Sequence, residues 1–319
     1  MKIFSIVVPV YNNGANLPET IPALLALQAT LPGYDLELVL VDDGSQDGSR
    51  AAILDFASRL PEQICAVLLT RNFGQNAAIQ AGLRQAKGDC VGVISCDLQE
   101  PHEQFVTMLR AWEQGAQFVL GERVERAENW LHRTISGCYW HLLRRFAFAD
   151  YPPMGFDFCL LDRQVVDEVN QINEKNSSIF TLIYWLGHAP HRVPVRRVQR
   201  TKGTSQWDVW GKIKFTTDTL IGFTYLPARL ITYAGLLSSL LCLVYLAVVV
   251  AQTLFLRRGP VGWATLAGLI LLLGASLLFS LGILSEYLLR ILDETRRRPT
   301  FVVERVITSA VGKEKPGNH

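Results

Sequence analysis

Neither of the two glycine-rich phosphate loops occurs in this 319-residue chain: there is no G-x-x-x-x-G-K-[ST] and no G-x-G-x-x-G. Backbone amides alone are therefore not expected to neutralise a bound diphosphate, and a cation has to do that work. Cysteine is sparse. The six, at 65, 90, 96, 138, 159 and 242, form no C-x-x-C pair and keep no regular spacing, which argues against a zinc site or a disulfide framework and for reduced thiols. Charge imbalance is also missing, since the formal net charge is only +2, and nucleic acid is not an expected partner. Nor does the chain open on a secretory signal. Residues Met1 to Tyr11 read as a short strand rather than a basic patch followed by an apolar stretch, so the N-terminal domain is expected to stay in the cytosol.

Apolar residues, by contrast, are abundant, at 49% of the chain. The excess is localised. From Leu230 to Ser285 charge appears only at Arg257 and Arg258, leaving two uncharged runs of 27 residues each, and roughly 20 apolar residues suffice to cross a bilayer as a helix. A membrane hairpin is expected over 230–289, with crossings at about 231–256 and 260–285. Before it, residues 208–229 set Val209, Trp210, Ile213, Leu220, Phe223 and Leu226 among lysines, the pattern of a helix lying in the membrane interface. After it, Arg290 and Arg296-Arg297-Arg298 outweigh the Arg257-Arg258 pair, so charge bias places both termini in the cytosol. The tail, 290–319, holds the β-branched run Thr300 to Ile307, which reads as a strand. A lone terminal strand needs a sheet edge, and the edge of a neighbouring subunit is the expected partner.

The remaining segment, 1–207, carries the catalytic chemistry. Strand signals at Ile3–Val10, Leu36–Val41, Cys65–Leu69 and Cys90–Ser95 alternate with helix signals at Leu17–Ala29, Ser49–Leu60 and Gln75–Gln85. That order predicts an α/β fold with a mostly parallel, Rossmann-like sheet covered on both faces, and ligands at the carboxyl ends of the strands. Further along, Trp130–Phe148 reads as an amphipathic helix, Phe158–Asp162 as a strand, Asp167–Leu186 as one helix stopped by Gly187, and Val193–Val198 as an edge strand. Carboxylates gather at the predicted strand ends: Asp42 and Asp43 after the second, Asp97 after the fourth. An Asp-Asp-Gly-Ser turn is common and weak evidence alone. Asp97-Leu98-Gln99 adds weight, because residues two apart on extended backbone can offer a carboxylate and an amide oxygen to one Mg²⁺ or Mn²⁺.

In combination these residues resemble family 2 glycosyltransferases of the GT-A fold, and among them the polyprenyl-phosphate sugar transferases of the dolichol-phosphate-mannose-synthase type. The resemblance rests on Ser5–Asn12, Val41–Ser45, Arg71–Gln75 with Ala81-Gly82, Asp97–Pro101, Gly121-Glu122-Arg123, Asp157-Phe158 with Asp162-Arg163, Gly203-Thr204-Ser205, and Ser285-Glu286-Tyr287 with Arg290 and Arg298-Pro299. Bacterial enzymes that make undecaprenyl-phosphate glucose or aminoarabinose are the most similar group. The resemblance implies inverting transfer from a nucleotide sugar, with uridine the favoured base, to undecaprenyl phosphate at a bacterial plasma membrane. It implies nucleotide-sugar contacts from Pro9, Tyr11, Asp42, Asp43, Arg71, Gln75, Ser95 and Asp97, and metal ligation by Asp97 and Gln99. Arg123, Arg126, Arg133 and Ser136 are expected to hold the acceptor phosphate, with Arg200 and Lys202 as further cations, since guanidinium groups grip phosphate bidentately. Asp157 is expected to orient donor sugar or acceptor, an ion pair with Arg163 being the alternative. Related enzymes form tetramers, so a homo-oligomer is expected.

Three departures from the family pattern stand out. Ser95-Cys96-Asp97 replaces the usual Asp-x-Asp, Asn13 replaces an acidic residue, and Gln206 replaces a lysine. Two other readings stay open at this point. A processive polysaccharide synthase would ordinarily carry Gln-x-x-Arg-Trp and more crossings; a non-catalytic nucleotide-sugar-binding membrane subunit is encouraged only by Ser95.

Overall fold

The structure, a computed structural model, describes residues 1–124, 140–141, 143–145, 147–174, 177–197, 226–256 and 262–308. It divides into two units, 1–215 with 299–319 and 216–298. Among the described residues of the first unit, eight strands form a single mixed sheet: β1 (Lys2–Val10), β2 (Tyr34–Asp42), β3 (Ile64–Leu69), β4 (Cys90–Val93), β5 (Phe118–Arg123), β6 (Cys159–Asp162), β7 (Pro190–Val195) and β8 (Val303–Ile307). They lie in the order β7-β5-β6-β4-β1-β2-β3-β8. The run β4-β1-β2-β3 is parallel, whereas β6 is antiparallel to both β4 and β5, and β5 pairs parallel with β7.

Alternation along β1 explains how the sheet is covered. Phe4, Ile6, Val8 and Val10 enter one apolar cluster and Val7 enters the other, which also holds Val39, Val41, Val67, Val91 and Val93. A strand buried on both faces reads as a nearly continuous apolar run, as β1 and β3 do. Helices α1 (Leu17–Ala26), α2 (Ser49–Arg59), α3 (Gln75–Gln85) and α4 (Gln104–Glu113) lie among these strands in the sequence. The first stops three residues short of expectation because the chain tightens into a 3₁₀ turn at Leu27–Thr30. Residues 163–185 also depart from the expected single helix. They form α5 (Arg163–Gln171) and α6 (Ile179–Trp185), since Ile172 turns extended and its carbonyl accepts from Gln80 Nε2 at 2.6 Å, while Asn76 Oδ1 accepts from Ile179 N–H at 3.2 Å. Side chains of α3 thus take over backbone groups that a continuous helix would pair internally. Gly187, at φ +85°, ends α6 as expected.

The tail strand corrects the expected clasp between subunits. β8 pairs antiparallel with β3 of its own chain, with Ala66 opposite Ile307 and Leu68 opposite Arg305. Thr70 N–H donates to Val302 O at 3.1 Å, Phe301 is 9% exposed beneath the Arg84 guanidinium, and Arg50 pairs with Glu304 at 2.9 Å. The sheet edge nearest to hand satisfies the strand, so residues from 299 onward belong with the catalytic unit rather than with the separate tail expected from sequence.

In the second unit, α7 (Leu226–Leu256) and α8 (Trp263–Thr295) are each long and apolar enough to cross a membrane. Their described apolar side chains, such as Leu236, Leu240, Leu271 and Phe279, are exposed to the surroundings, as lipid-facing helices require and soluble helices avoid. The Trp130–Phe148 helix is described only in part, and the 208–229 helix lies almost wholly outside the described residues.

Candidate active site at the carboxyl edge of the sheet

Carboxyl ends of β1 and β2 are laced into a rigid floor by their own loop side chains. Asn12 N–H donates to Ser45 Oγ at 3.0 Å, Gln46 N–H to Asn12 Oδ1 at 2.9 Å, and Asp43 N–H to Val10 O at 2.8 Å. Gly44 sits at φ +68°, and a Cβ there would lie 2.4 Å from the Arg71 carbonyl carbon. Only glycine lets this loop touch the one after β3. Asp43 fastens the same two loops, accepting from Phe73 N–H at 2.7 Å and Gly74 N–H at 2.9 Å. Burial holds its carboxyl above the usual range, against the pull of those two donors.

Asp42 is bound from within the fold. It is fully buried, and its oxygens accept from Ser45 N–H at 3.1 Å and Arg50 Nε at 2.7 Å. Arg50 also donates to Leu69 O at 2.9 Å and thereby ties β2, β3 and β8 together. Asp43 is 2% exposed, so both carboxylates of the predicted pair are enclosed within the loops at this edge. Pro9 and Tyr11 end β1, and Gln75 opens α3 behind Gly74. Arg71 donates to Asn72 O and stacks on Phe73, 4.1 Å from the ring centre. All of these expected nucleotide residues share one end of the sheet.

The other half of that edge brings together groups distant in sequence. Ser95, Asp97 and Glu100 follow β4, Arg123 closes β5, Asp157 precedes the antiparallel β6, and Arg197 follows β7. Arg123 donates to Asp157 and lies 4.0 Å from Glu100. Arg197 reaches Glu100 Oε1 at 3.1 Å and Asp157 at 3.6 Å. Ser95 Oγ contacts Asp97 Oδ1 at 2.8 Å and also Glu100 Oε2. Burial and the nearby Asp157 charge push the Glu100 carboxyl upward, opposed by Arg197, Ser95 and Arg123. The partner of Asp157 is thus Arg123, with Arg197. Arg163, the alternative weighed from sequence, instead donates to the Gly88 and Ala86 carbonyls at 2.9 Å and approaches Asp167.

Glu100 and Arg197 were not singled out as site residues from sequence. Glu100 lies within the Asp97–Pro101 motif, and Arg197 within a basic stretch, but nothing local announces that β4 and β7 bring them together. Gln99 contacts Asp97 through its backbone N–H, at 3.4 Å. Arg126, Arg133, Ser136, Arg200 and Lys202 lie outside the described residues. Among the described residues, no three His, Cys, Asp or Glu side chains are grouped to hold a metal. Cys65, Cys90, Cys96 and Cys159 are free and buried, and burial pushes the Cys96 thiol up to about 12, so these sulfurs stay protonated and inert.

The model described as Glycosyl transferase family 2 matches residues 5–169, a span that holds every carboxylate of this site. The chain belongs to that family. It is a glycosyltransferase with a GT-A-like sheet and two C-terminal apolar helices. An uncharacterized glycosyltransferase of Synechocystis, sll0501, is 33% identical over 94% of this chain and 94% of its own length. The SfII prophage-derived bactoprenol glucosyl transferase of Shigella flexneri is 31% identical over 96% of this chain and 98% of its own. Among solved structures, the mannosyltransferase PcManGT from Pyrobaculum calidifontis, in complex with GDP-Man and Mn²⁺, covers 87% of this glycosyltransferase and 86% of its own chain at 17% identity and TM-score 0.43.

Proposed function

We propose that this glycosyltransferase transfers a sugar from a uridine nucleotide sugar to a polyprenyl phosphate, undecaprenyl phosphate in the first instance, with inversion at the anomeric carbon. The observation that carries this reading is the convergence of two guanidinium groups, Arg123 and Arg197, with Asp157 and Glu100 at the edge where Asp97 lies. The full-length match to a bactoprenol glucosyl transferase supports the lipid acceptor, and the two exposed apolar helices give such an acceptor a reason to meet this chain.

A phosphate monoester is already anionic near neutral pH and needs little help from a general base. Its charge must instead be gripped and aimed, a task suited to paired guanidinium forks. Asp157 fixes the Arg123 fork and also attracts Arg197, so the pair is ordered before substrate arrives and reorganises little during reaction. A phosphate oxygen attacks the anomeric carbon, the bond from that carbon to the nucleoside diphosphate breaks, and the diphosphate leaves with the bonding electrons. Asp43 and the loops it fastens position the nucleotide. The donor types at Asp97 and Gln99, a carboxylate and an amide oxygen two residues apart, fit a hard divalent cation, Mg²⁺ or Mn²⁺. Such an ion, when bound, neutralises charge on the leaving diphosphate. Residence in a bacterial plasma membrane with both termini cytosolic, and assembly into a homo-oligomer of four copies, belong to the same reading, although β8 is not the clasp.

The test is incubation of the purified full-length protein with undecaprenyl phosphate, a panel of nucleotide sugars and Mg²⁺ or Mn²⁺, followed by mass analysis of the lipid. Formation of a lipid-phosphate hexose or pentose from one UDP-sugar is the expected result. Donor consumption with an unmodified lipid would refute the acceptor.

A further inference from the structure

The tail strand does more at the sheet edge than cover it. Along β8 the pairing places Arg305 opposite Leu68 but Val303 opposite Leu69, so the register slips by one residue and Glu304 has no counterpart on β3. An extra residue of this kind bends its strand and re-aims its own side chain. Here the Glu304 carboxylate accepts from Arg50 Nη1 at 2.9 Å. Arg50 lies in the first turn of α2, and the rest of its fork is committed to two strand ends: Nε donates to Asp42 Oδ2 at 2.7 Å and Nη2 to Leu69 O at 2.9 Å. A single planar, rigid group thereby joins β2, β3 and β8.

Both of those strand ends run directly into loops assigned to the nucleotide. Asp42 Oδ1 accepts from Ser45 N–H at 3.1 Å and Ser45 Oγ from Asn12 N–H at 3.0 Å, which carries the Arg50 contact into the turn after β2 and on to the end of β1. Leu69 is followed by Thr70, whose N–H donates to Val302 O at 3.1 Å, and then by Arg71. At the other end of that loop Phe73 N–H and Gly74 N–H donate to Asp43. The tail therefore braces the Arg71–Gly74 loop with its own backbone and the Asp42–Ser45 turn through Arg50.

We propose that Glu304 and Arg50 are positioning residues for the donor nucleotide: the slip in β8 aims Glu304 at Arg50, and Arg50 holds the two nucleotide loops in register with each other. The proposal rests on the reading of this edge as the nucleotide site. It gives the tail a part in donor binding, since a binding loop held ready spares the ligand the cost of ordering it.

Calorimetric titration of UDP into the full-length protein, with Mn²⁺ present, tests this together with steady-state kinetics. Glu304→Ala is expected to weaken UDP binding about three- to fivefold and to raise the KM for nucleotide sugar by a similar factor, with kcat and the KM for lipid phosphate within about twofold of wild type. Arg50→Lys keeps the charge but cannot span the three partners, and is expected to weaken UDP binding about tenfold or more. An ion pair that only stabilises the edge would lower the melting temperature without this split between substrates. UDP affinity within about twofold of wild type in either folded variant, or equal rises in both KM values, would overturn the inference; weakened UDP binding in Arg71→Ala would then leave the nucleotide reading intact. Unchanged UDP affinity in Arg71→Ala as well, or no UDP binding by the wild type, would overturn both. Should Arg50→Lys fail to fold by its melting curve, Glu304→Ala carries the test, because the Glu304 side chain is 44% exposed and its loss leaves no cavity.

Discussion

Phe301→Ala in the full chain tests whether the tail strand belongs to its own catalytic unit. The ring is 9% exposed, packs in the apolar cluster with Val67, Leu69 and Ala81, and lies under Arg84. Truncating a buried phenylalanine costs about 3–5 kcal/mol, and the lower figure suits a ring at the margin of a sheet. The neighbouring Arg50–Glu304 pair is nearly one-third to one-half exposed at its two ends, so Glu304→Gln is expected to cost no more than about 1 kcal/mol. For a unit of this size, about 3 kcal/mol corresponds to a drop of roughly 6–12 °C in melting temperature. Near-ultraviolet circular dichroism of the detergent-solubilised protein would follow the melt, because the aromatic side chains of the catalytic unit dominate the loss of tertiary signal. Protein concentration decides the reasoning. Pairing within the chain makes the drop independent of concentration, whereas a strand shared between subunits makes it grow on dilution. A drop below about 2 °C, or one that deepens on dilution, would refute the intramolecular assignment.

Asp97→Asn should lower turnover by about a hundredfold or more while leaving the melting temperature within about 3 °C, and excess chelator should reproduce the loss in wild type. Wild-type rates in either case would remove the cation from the reaction. Arg123→Ala is expected to raise the KM for lipid phosphate about tenfold and that for nucleotide sugar less than about threefold; equal increases would detach Arg123 from the acceptor. Gly44→Ala should cost at least about 1–2 kcal/mol from the left-handed backbone alone, with more from the contact against Arg71, and should weaken UDP binding measured by calorimetry. Unchanged UDP affinity would separate this loop from the nucleotide site.

Local pattern was enough for the parallel half of the sheet, because a strand buried on both faces must be apolar along its length and each of β1 to β4 ends in turn residues or polar side chains. It was enough also for the two long helices, since 27 uncharged residues have few uses in water. The family followed from motifs that are each contiguous in sequence, and Asp97, Arg123 and Asp157 came with them. Other features depended on partners far along the chain. The end of α5 at Ile172 and the start of α6 at Ile179 are bound by Gln80 and Asn76, which take backbone groups that no helical periodicity could reveal to be claimed elsewhere. Asp42 and Asp43 are adjacent and look alike in sequence, yet Arg50 buries the first in an ion pair while the second fastens the Phe73-Gly74 loop. Arg197 joins Glu100 across roughly a hundred residues because β7 lies beside β5 and β6 separates β5 from β4. The β8 run announced a strand but not its partner: any unpaired edge offers the same backbone donors and acceptors, and only the placement of β3 decided which edge it took.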